Sequence, residues 1–246
     1  MICESYTVER LAAVYDTLNP PGEDMLFYLN LAGREALSIL EIGCGTGRLA
    51  CSLAESGHRV TGTDPARAML DIARHRPGGE RVAWIETHAA GLSLKESFDL
   101  IIMTGHVFQV LLSDEEVKAA LNACRQQLGR DGRIAFETRN PVVEEWKSWT
   151  PELTRERLTV EGLGTVDVHY EVFSQEGQPV RFKTQFDFGG GDNVATSNTL
   201  RFMPLQEVSA MLQACGLESC EWYGDFDRRP LREDSPEIIV VARKPQ

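Results

Sequence analysis

The stretch Ile39 to Ala50, ILEIGCGTGRLA, decides how the chain is read. Leu37 to Ile42 (LSILEI) has the short continuous apolar run of a buried strand, and Arg48 to Glu55 has the spacing of an amphipathic helix. Between them, Gly43-Cys44-Gly45-Thr46-Gly47 makes a tight turn. Glycines at 43 and 45 let the backbone bend sharply and approach a ligand where a Cβ would collide. Amides exposed at the start of the following helix favour an electron-rich group. Asp64 stands 21 residues beyond Gly43, at the end of the second strand. A doubly wound sheet places an acid there to accept bonds from ribose hydroxyls. Turn and acid together point to a nucleoside-containing ligand.

The spacing narrows the choice. A dinucleotide fingerprint is GxGxxG, whereas this turn is GxGxG with Arg48 in the following position. Glu41, two residues before the first glycine, suits a cationic or amino-bearing ligand better than a pyrophosphate. The phosphate-cradling GxxxxGK[ST] pattern is absent from the turn.

Outward from this segment, strands alternate with helices over the first 140 residues. Strands are expected at Arg59 to Thr63, Val82 to Thr87, Phe98 to Met103 and Ile134 to Thr138. Helices are expected from Pro65 to about Arg74 and from Asp114 to Leu128, with Gly129 as a left-handed cap and RDGR turning into the fifth strand. Such alternation gives right-handed crossovers and a parallel sheet covered on both faces. After Pro141 the pattern changes. TVDVHYEVF, PVRFKTQFDF and VATSNTLRF alternate with period two and are separated by SQEGQ and GGGDN, which reads as an antiparallel meander of three or four strands. A helix from Leu205 to Cys215 and two strands, Glu218 to Tyr223 and Glu237 to Arg243, close the chain.

The chain has 246 residues, with 25 Lys and Arg against 37 Asp and Glu, a formal net charge of −12. An acidic surface repels phosphate backbones and anionic lipid, which counts against nucleic-acid and membrane partners. The first residues lack a basic start followed by an apolar core, and no apolar run approaches membrane-spanning length. The six cysteines form no CxxC pair and no zinc-ligand spacing, so reduced thiols in a cytoplasm are expected.

LEIGCGTG followed by Asp64 resembles the class I S-adenosylmethionine-dependent methyltransferases, over residues 35–140 and 200–246. The ending, with EWYGDFD and then EIIVVARK, is similar to the small-molecule branch, in which an antiparallel cap often follows the fifth strand. The resemblance implies an α/β fold, Rossmann-like and doubly wound. It implies a mostly parallel seven-strand sheet whose last strand is antiparallel, built from residues 1–140 and 200–246. It also implies that residues 141–199 are an inserted β-cap, a substrate lid. The implied cofactor is S-adenosylmethionine, with a small-molecule acceptor methylated on N or O.

By position in that family, Gly43, Cys44 and Gly45 line the methionine moiety through backbone groups, with Glu41 near its amino group. Asp64 holds the ribose, and Ala66, Arg67 or Met69 borders the adenine. His88-Ala89-Ala90-Gly91 meets the adenine edge, with Ala where many relatives carry Asp. Thr104-Gly105-His106-Val107-Phe108 flanks the methionine portion and faces the acceptor. Tyr6 and Tyr15 resemble aromatics that cover the cofactor, and Tyr15 and Phe108 suit a sulfonium, which ring faces attract. His106 is the candidate catalytic base, because imidazole titrates near neutrality, and His169 in the cap is a second. Arg139, Asn140, Trp146 and Trp149 are candidates for the cap's rim.

Several features also have plain structural readings. Asp64 before Pro65 suits a helix N-cap. Ser113 with Glu116 suits a capping box, and the two tryptophans suit packing. Asn19-Pro20-Pro21 is similar to the NPP signature of nucleic-acid amino-methyltransferases, but it precedes the glycine strand and Gly22 follows it, so it reads as loop punctuation. A nicotinamide oxidoreductase of the short-chain type needs Tyr-x-x-x-Lys, which no tyrosine here supplies. MTGHVFQV offers no acidic metal ligands. A protein that holds the cofactor without transferring its methyl is the remaining alternative.

Overall fold

The fold was analysed in a computed structural model that describes residues 4–174 and 179–245. Cys3 and most of the expected SQEGQ turn lie outside the described residues. Helices α1 (Glu4–Thr7), α2 (Glu9–Leu18) and α3 (Glu23–Ala32) precede β1 (Ser38–Ile42), α4 (Arg48–Glu55), β2 (Arg59–Asp64), α5 (Arg67–His75) and β3 (Ala83–Glu86). Then come β4 (Phe98–Met103), α6 (Asp114–Gln127), β5 (Leu128–Arg139) and the short α7 (Pro151–Thr154). Strands β6 (Glu156–Val160), β7 (Gly164–Ser174), β8 (Val180–Asp187) and β9 (Asn193–Leu200) follow, then α8 (Leu205–Ala214), β10 (Glu218–Tyr223) and β11 (Glu237–Arg243).

Seven strands form one sheet in the order β10-β11-β5-β4-β1-β2-β3. The last strand, β11, runs antiparallel to both neighbours, whereas β1 to β5 pair in parallel. The alternation of side chains along each strand sorts the core into two layers. Leu40, Ile101, Ile134, Phe136 and Val240 face α6 and α8 through Val117, Leu121, Val208 and Leu212. Ile39, Leu100, Ile102, Ala135 and Ile239 face α3 and α4 through Phe27, Tyr28, Leu49 and Leu53. Because both faces are covered, all five residues of β1 are buried.

Two local expectations are corrected. Gly129 is not a left-handed cap: α6 ends at Leu128 in an extended conformation, and β5 begins there. RDGR is a bulge inside β5, since Phe98 pairs with Leu128 and Leu100 with Arg133. A Cβ on Gly132 would lie 2.5 Å from the Phe98 carbonyl oxygen, so close backbone approach explains that glycine. The helix expected from Pro65 begins at Arg67, because the Asp64 carboxylate accepts the Ala66 amide at 2.7 Å and holds the preceding turn. The Ser113–Glu116 capping box is present. Asn19 caps the end of α2, donating from its side chain to the Tyr15 carbonyl at 2.9 Å.

Strands β6 to β9 form a separate antiparallel sheet. It docks on α2, where Leu11 and Val14 join Leu158, Val160, Val166, Val168 and Phe186 in one apolar cluster. The Arg10 guanidinium lies 3.4 Å from the centre of the Phe188 ring and donates to Asp192 at 2.6 Å. The other side of α2 is tied to the glycine turn by Asp16. Its carboxylate accepts Thr46 Oγ1 at 2.6 Å and pairs with Arg48 and Arg76. The free thiols among the described residues are Cys44, Cys51, Cys124, Cys215 and Cys220. No helix among the described residues is long and apolar enough to cross a membrane.

Removing the Asp16 carboxylate takes the charged partner from two guanidiniums whose side chains are only 24% and 21% exposed and leaves them backbone carbonyls alone. Asp16→Ala is therefore expected to lower unfolding free energy by about 1–3 kcal/mol. Asp71→Ala, which loses only surface pairs with Arg67 and Arg74, is expected to change it by less than about 0.5 kcal/mol. Urea denaturation midpoints of the two variants check the contrast, and equal losses contradict it.

Candidate cofactor site

Gly43, Gly45 and Gly47 all adopt left-handed backbone, with φ of 70°, 54° and 75°. The turn is anchored from below, where the Gly43 and Cys44 amides donate to the Thr63 carbonyl at 2.7 and 3.0 Å. The three glycines face different surroundings. A Cβ on Gly43 would collide with Val107 at 2.4 Å, and one on Gly47 with the Trp84 ring at 2.5 Å. On Gly45 the nearest atom is in the Tyr15 ring, at 3.9 Å. The Tyr15 hydroxyl is likewise the nearest atom to a Cβ on Gly105, again at 3.9 Å. Tyr15 thus lies over a crevice between the turn after β1 and the loop after β4, with the Tyr6 ring edge-on to it at 5.5 Å.

Asp64 closes one side of this crevice. Its Oδ2 accepts the Gly45 amide at 3.0 Å while Oδ1 accepts that of Ala66. An ionised carboxylate has about four acceptor sites, so two remain for hydroxyl donors. Burial first, and then the neighbouring Asp64, push the Tyr15 hydroxyl up to about 12, so it stays neutral. Glu41, only 2% exposed, accepts Thr104 Oγ1 at 3.2 Å through Oε1. Its Oε2 is buried without a partner, and burial pushes the carboxyl up to about 8. An orphaned carboxylate oxygen, a ring over open glycine backbone and a second acid with spare lone pairs fit an amino-bearing, cationic nucleoside. The bonds such a group supplies are the ones these side chains lack.

The remaining expected residues divide. Cys44 turns its sulfur inward, 3.2 Å from where a Cβ of Gly62 would stand, and leaves its backbone to the turn. Thr104 borders the crevice through Glu41. Ala89 and Ala90 form a single 3-10 turn after β3, with Ala90 and His88 exposed. Met69 is 1% exposed and packs with Ala12, Ala66 and Tyr15, because the apolar face of α5 is covered by α2. Phe108 is 2% exposed and stacks on Phe136 with centroids 4.3 Å apart, so it supports the loop from within the core. Of the two rings expected at a sulfonium, Tyr15 borders the crevice.

His106 departs from expectation most. It takes left-handed backbone at φ 60°, its amide donates to Glu137 Oε1 at 2.8 Å, and its Nε2 lies 2.9 Å from Glu237 Oε1. Burial, then the Arg139 guanidinium, hold the imidazole down to about 4. An imidazole with that value is a weak proton acceptor at neutral pH, which argues against His106 as the base. Its partners Glu137 and Glu237, and Tyr28, which donates to Glu137, were not singled out from sequence. The available signal was an acid within each of two apolar strands, IAFET and EIIVV. Arg139 donates to Gln109 at 3.0 Å and pairs with Glu145 at 2.8 Å. Asn140 is buried and donates to the Glu233 and Ser235 carbonyls, so it fastens a loop instead of forming a rim. Trp146 and Trp149 pack with Val180, Phe182 and Phe202. His169 lies mid-β7, opposite Gln185.

The Glu41 charge has a measurable consequence. A carboxyl raised from 4.5 to about 8 holds more protons folded than unfolded, so it destabilises the free protein increasingly as pH rises through that window. Glu41→Gln is expected to gain stability relative to the parent between these limits, by up to a few kcal/mol at about 1.4 kcal/mol per unit. Thermal melting of both proteins across pH checks this, and a pH-independent difference contradicts it.

Comparison with known proteins places the same segment in a known setting. A family described as "Methyltransferase domain" matches residues 39–132. A cypemycin N-terminal methyltransferase from a Streptomyces species is 26% identical, over 96% of this chain and 96% of that one. Among solved structures, the CcbJ methyltransferase of Streptomyces caelestis superposes with a TM-score of 0.80 at 24% identity, covering 98% of each chain. CalS10 from Micromonospora echinaspora, described as an amino pentose methyltransferase with S-adenosylmethionine bound, gives 0.68 at 22% identity over 94% and 97%. The family match falls on residues 39–132, which carry the glycine turn, Asp64 and the loop after β4, and the likenesses extend the fold over nearly all the rest. These likenesses support reading the chain as a class I S-adenosylmethionine-dependent methyltransferase.

Proposed function

We propose that the enzyme transfers the methyl group to a nitrogen or oxygen atom of a small-molecule acceptor, with residues 141–199 as the lid that receives it. The observation carrying this reading is the crevice roofed by Tyr15 and walled by Gly45, Asp64 and Glu41. The relatives described as an N-terminal methyltransferase and as an amino pentose methyltransferase support a small-molecule acceptor. A surface groove of about 750 Å³ lies beside the start of residues 141–199, apart from the residues that wall the crevice. Its lining includes Leu112 and Asp114 at the start of α6, Val142 after β5, and Arg201 and Phe202 after β9.

When bound, S-adenosylmethionine supplies an electrophilic methyl on a sulfonium. The chain's own residues bind, orient and exclude water. Asp64 holds ribose hydroxyls with its two spare acceptor sites, and Glu41 Oε2 receives the amino group. The Tyr15 ring offers a cation its negative face and covers the crevice. The Phe108–Phe136 stack keeps the loop from Thr104 to Phe108 in one conformation, which favours alignment of acceptor and methyl group. A neutral amine already carries its lone pair, whereas a hydroxyl or ammonium has a proton to shed.

Asp64→Ala is expected to weaken S-adenosylmethionine binding by about 1–3 kcal/mol, roughly 5- to 150-fold in Kd. Calorimetric titration of parent and variant measures it, with thermal melting to show that the variant is folded. An unchanged Kd removes Asp64 from the site. NADH is expected to give no binding heat with either protein, and saturable NADH binding revives the dinucleotide reading.

A further inference from the structure

We propose that Glu237 is the acceptor-binding carboxylate. Its Oε2 receives the ammonium group of an aliphatic amine and takes the proton that group must lose, while His106 holds the carboxylate in position. The inference rests on the methyl-transfer reading and narrows the acceptor atom to nitrogen.

Position comes first. Strand β11 runs antiparallel to β5, so its first residue, Glu237, pairs with the last residue of β5, Arg139. Glu237 therefore stands at the carboxyl edge of the parallel strands, where ligands of such sheets lie. The loop after β4 connects it to the cofactor crevice. Thr104 bonds to Glu41 at one end, and His106 bonds to Glu137 and Glu237 at the other. Two residues of chain span at most about 7 Å.

The chemistry of the group points to a cation. Glu237 is 8% exposed and, among the described residues, has His106 as partner on Oε1, while its Oε2 is buried with none. A buried carboxylate left short of donors is normally paired or neutralised. The groups facing it supply little positive charge. Glu137 is fully buried and is occupied by Tyr28 and the His106 amide. Arg139 is engaged by Glu145 and Gln109. Asp225 is paired with Arg229, and Asp24 on α3 adds another negative charge. A hydroxyl acceptor would leave this deficit unchanged. An ammonium removes it and supplies the missing donor.

The proton balance is simple. One N–H bond breaks, the proton passes to Oε2, and the electron pair stays on nitrogen as the lone pair that would form the N–C bond to the methyl carbon, while the carbon–sulfur bond would break and return its pair to the departing thioether. Burial pushes the Glu237 carboxyl up to about 8 in the free protein, and the charge of a bound ammonium favours its ionised form, which can then take the proton. His106 stays neutral and acts through Glu237, which makes it a positioning residue.

The test uses the full chain with histidine side chains labelled for nitrogen-15 NMR. 3-Amino-3-deoxyglucose and the dipeptide Ala-Ala are the amine probes, from a sugar and a peptide source. Glucose and N-acetyl-Ala-Ala are their counterparts without an ammonium. Both amines, or one of them, are expected to shift the His106 imidazole resonances in the parent protein, and the counterparts are not. In Glu237→Gln the amine affinity is expected to fall about ten-fold or more, with partial recovery in Glu237→Asp, while S-adenosylmethionine affinity stays within about two-fold. Amine affinity retained in Glu237→Gln overturns the proposal. So does an equal response to the counterparts, or no response to either amine up to its solubility limit. If Glu237→Gln fails to fold, the contrast between amines and counterparts in the parent decides. Failure of the parent to bind S-adenosylmethionine overturns the methyl-transfer reading instead.

Discussion

Asp64 holds together the two turns on which the cofactor crevice depends. Its carboxylate, at the end of β2, accepts the amide of Gly45 beyond β1 and the amide of Ala66 ahead of α5. Gly45 sits at positive φ with open space on its outer side, a conformation that needs an external hydrogen bond to stay defined. By fixing that amide, Asp64 sets where the backbone of the turn faces, and its remaining lone pairs are then directed into the same space. The acid that builds the turn is also the acid proposed to bind there.

Helix α2 extends this arrangement to the second sheet. Its residues divide by face: Leu11 and Val14 meet the antiparallel sheet, while Ala12 and Tyr15 meet α5. Asp16 reaches the glycine turn through Thr46, Arg48 and Arg76. One short helix therefore roofs the crevice and carries the β6–β9 sheet.

The buried acids follow a common pattern. Glu41, Glu137 and Glu237 lie in the sheet near its carboxyl edge, and burial raises all three above the usual carboxylate range. Glu137 has its partners within the chain, in Tyr28 and the His106 amide. Glu41 and Glu237 each keep one oxygen without a donor. Fully partnered acids lock a fold, and incompletely partnered ones hold unused binding capacity. The two incomplete acids lie at opposite ends of the loop from Thr104 to His106.

Periodicity and punctuation along the chain determined the strand–helix series, the glycine turn, Asp64 and the change to an antiparallel meander after Pro141. These are local properties: side-chain alternation, helical spacing and the conformational freedom of glycine act over a few residues. Helix α4 and strand β4 were legible to the residue for that reason. The bulge at 129–132 was not, because it depends on the approach of β5 to the Phe98 carbonyl. Only the tertiary structure decided that Phe108 stacks inward on Phe136, that Asn140 fastens a distant loop, and that His106 meets Glu237, 131 residues away. Which polar groups share a buried space depends on strand order and on a reversed last strand. Neither leaves a mark in the spacing of nearby residues.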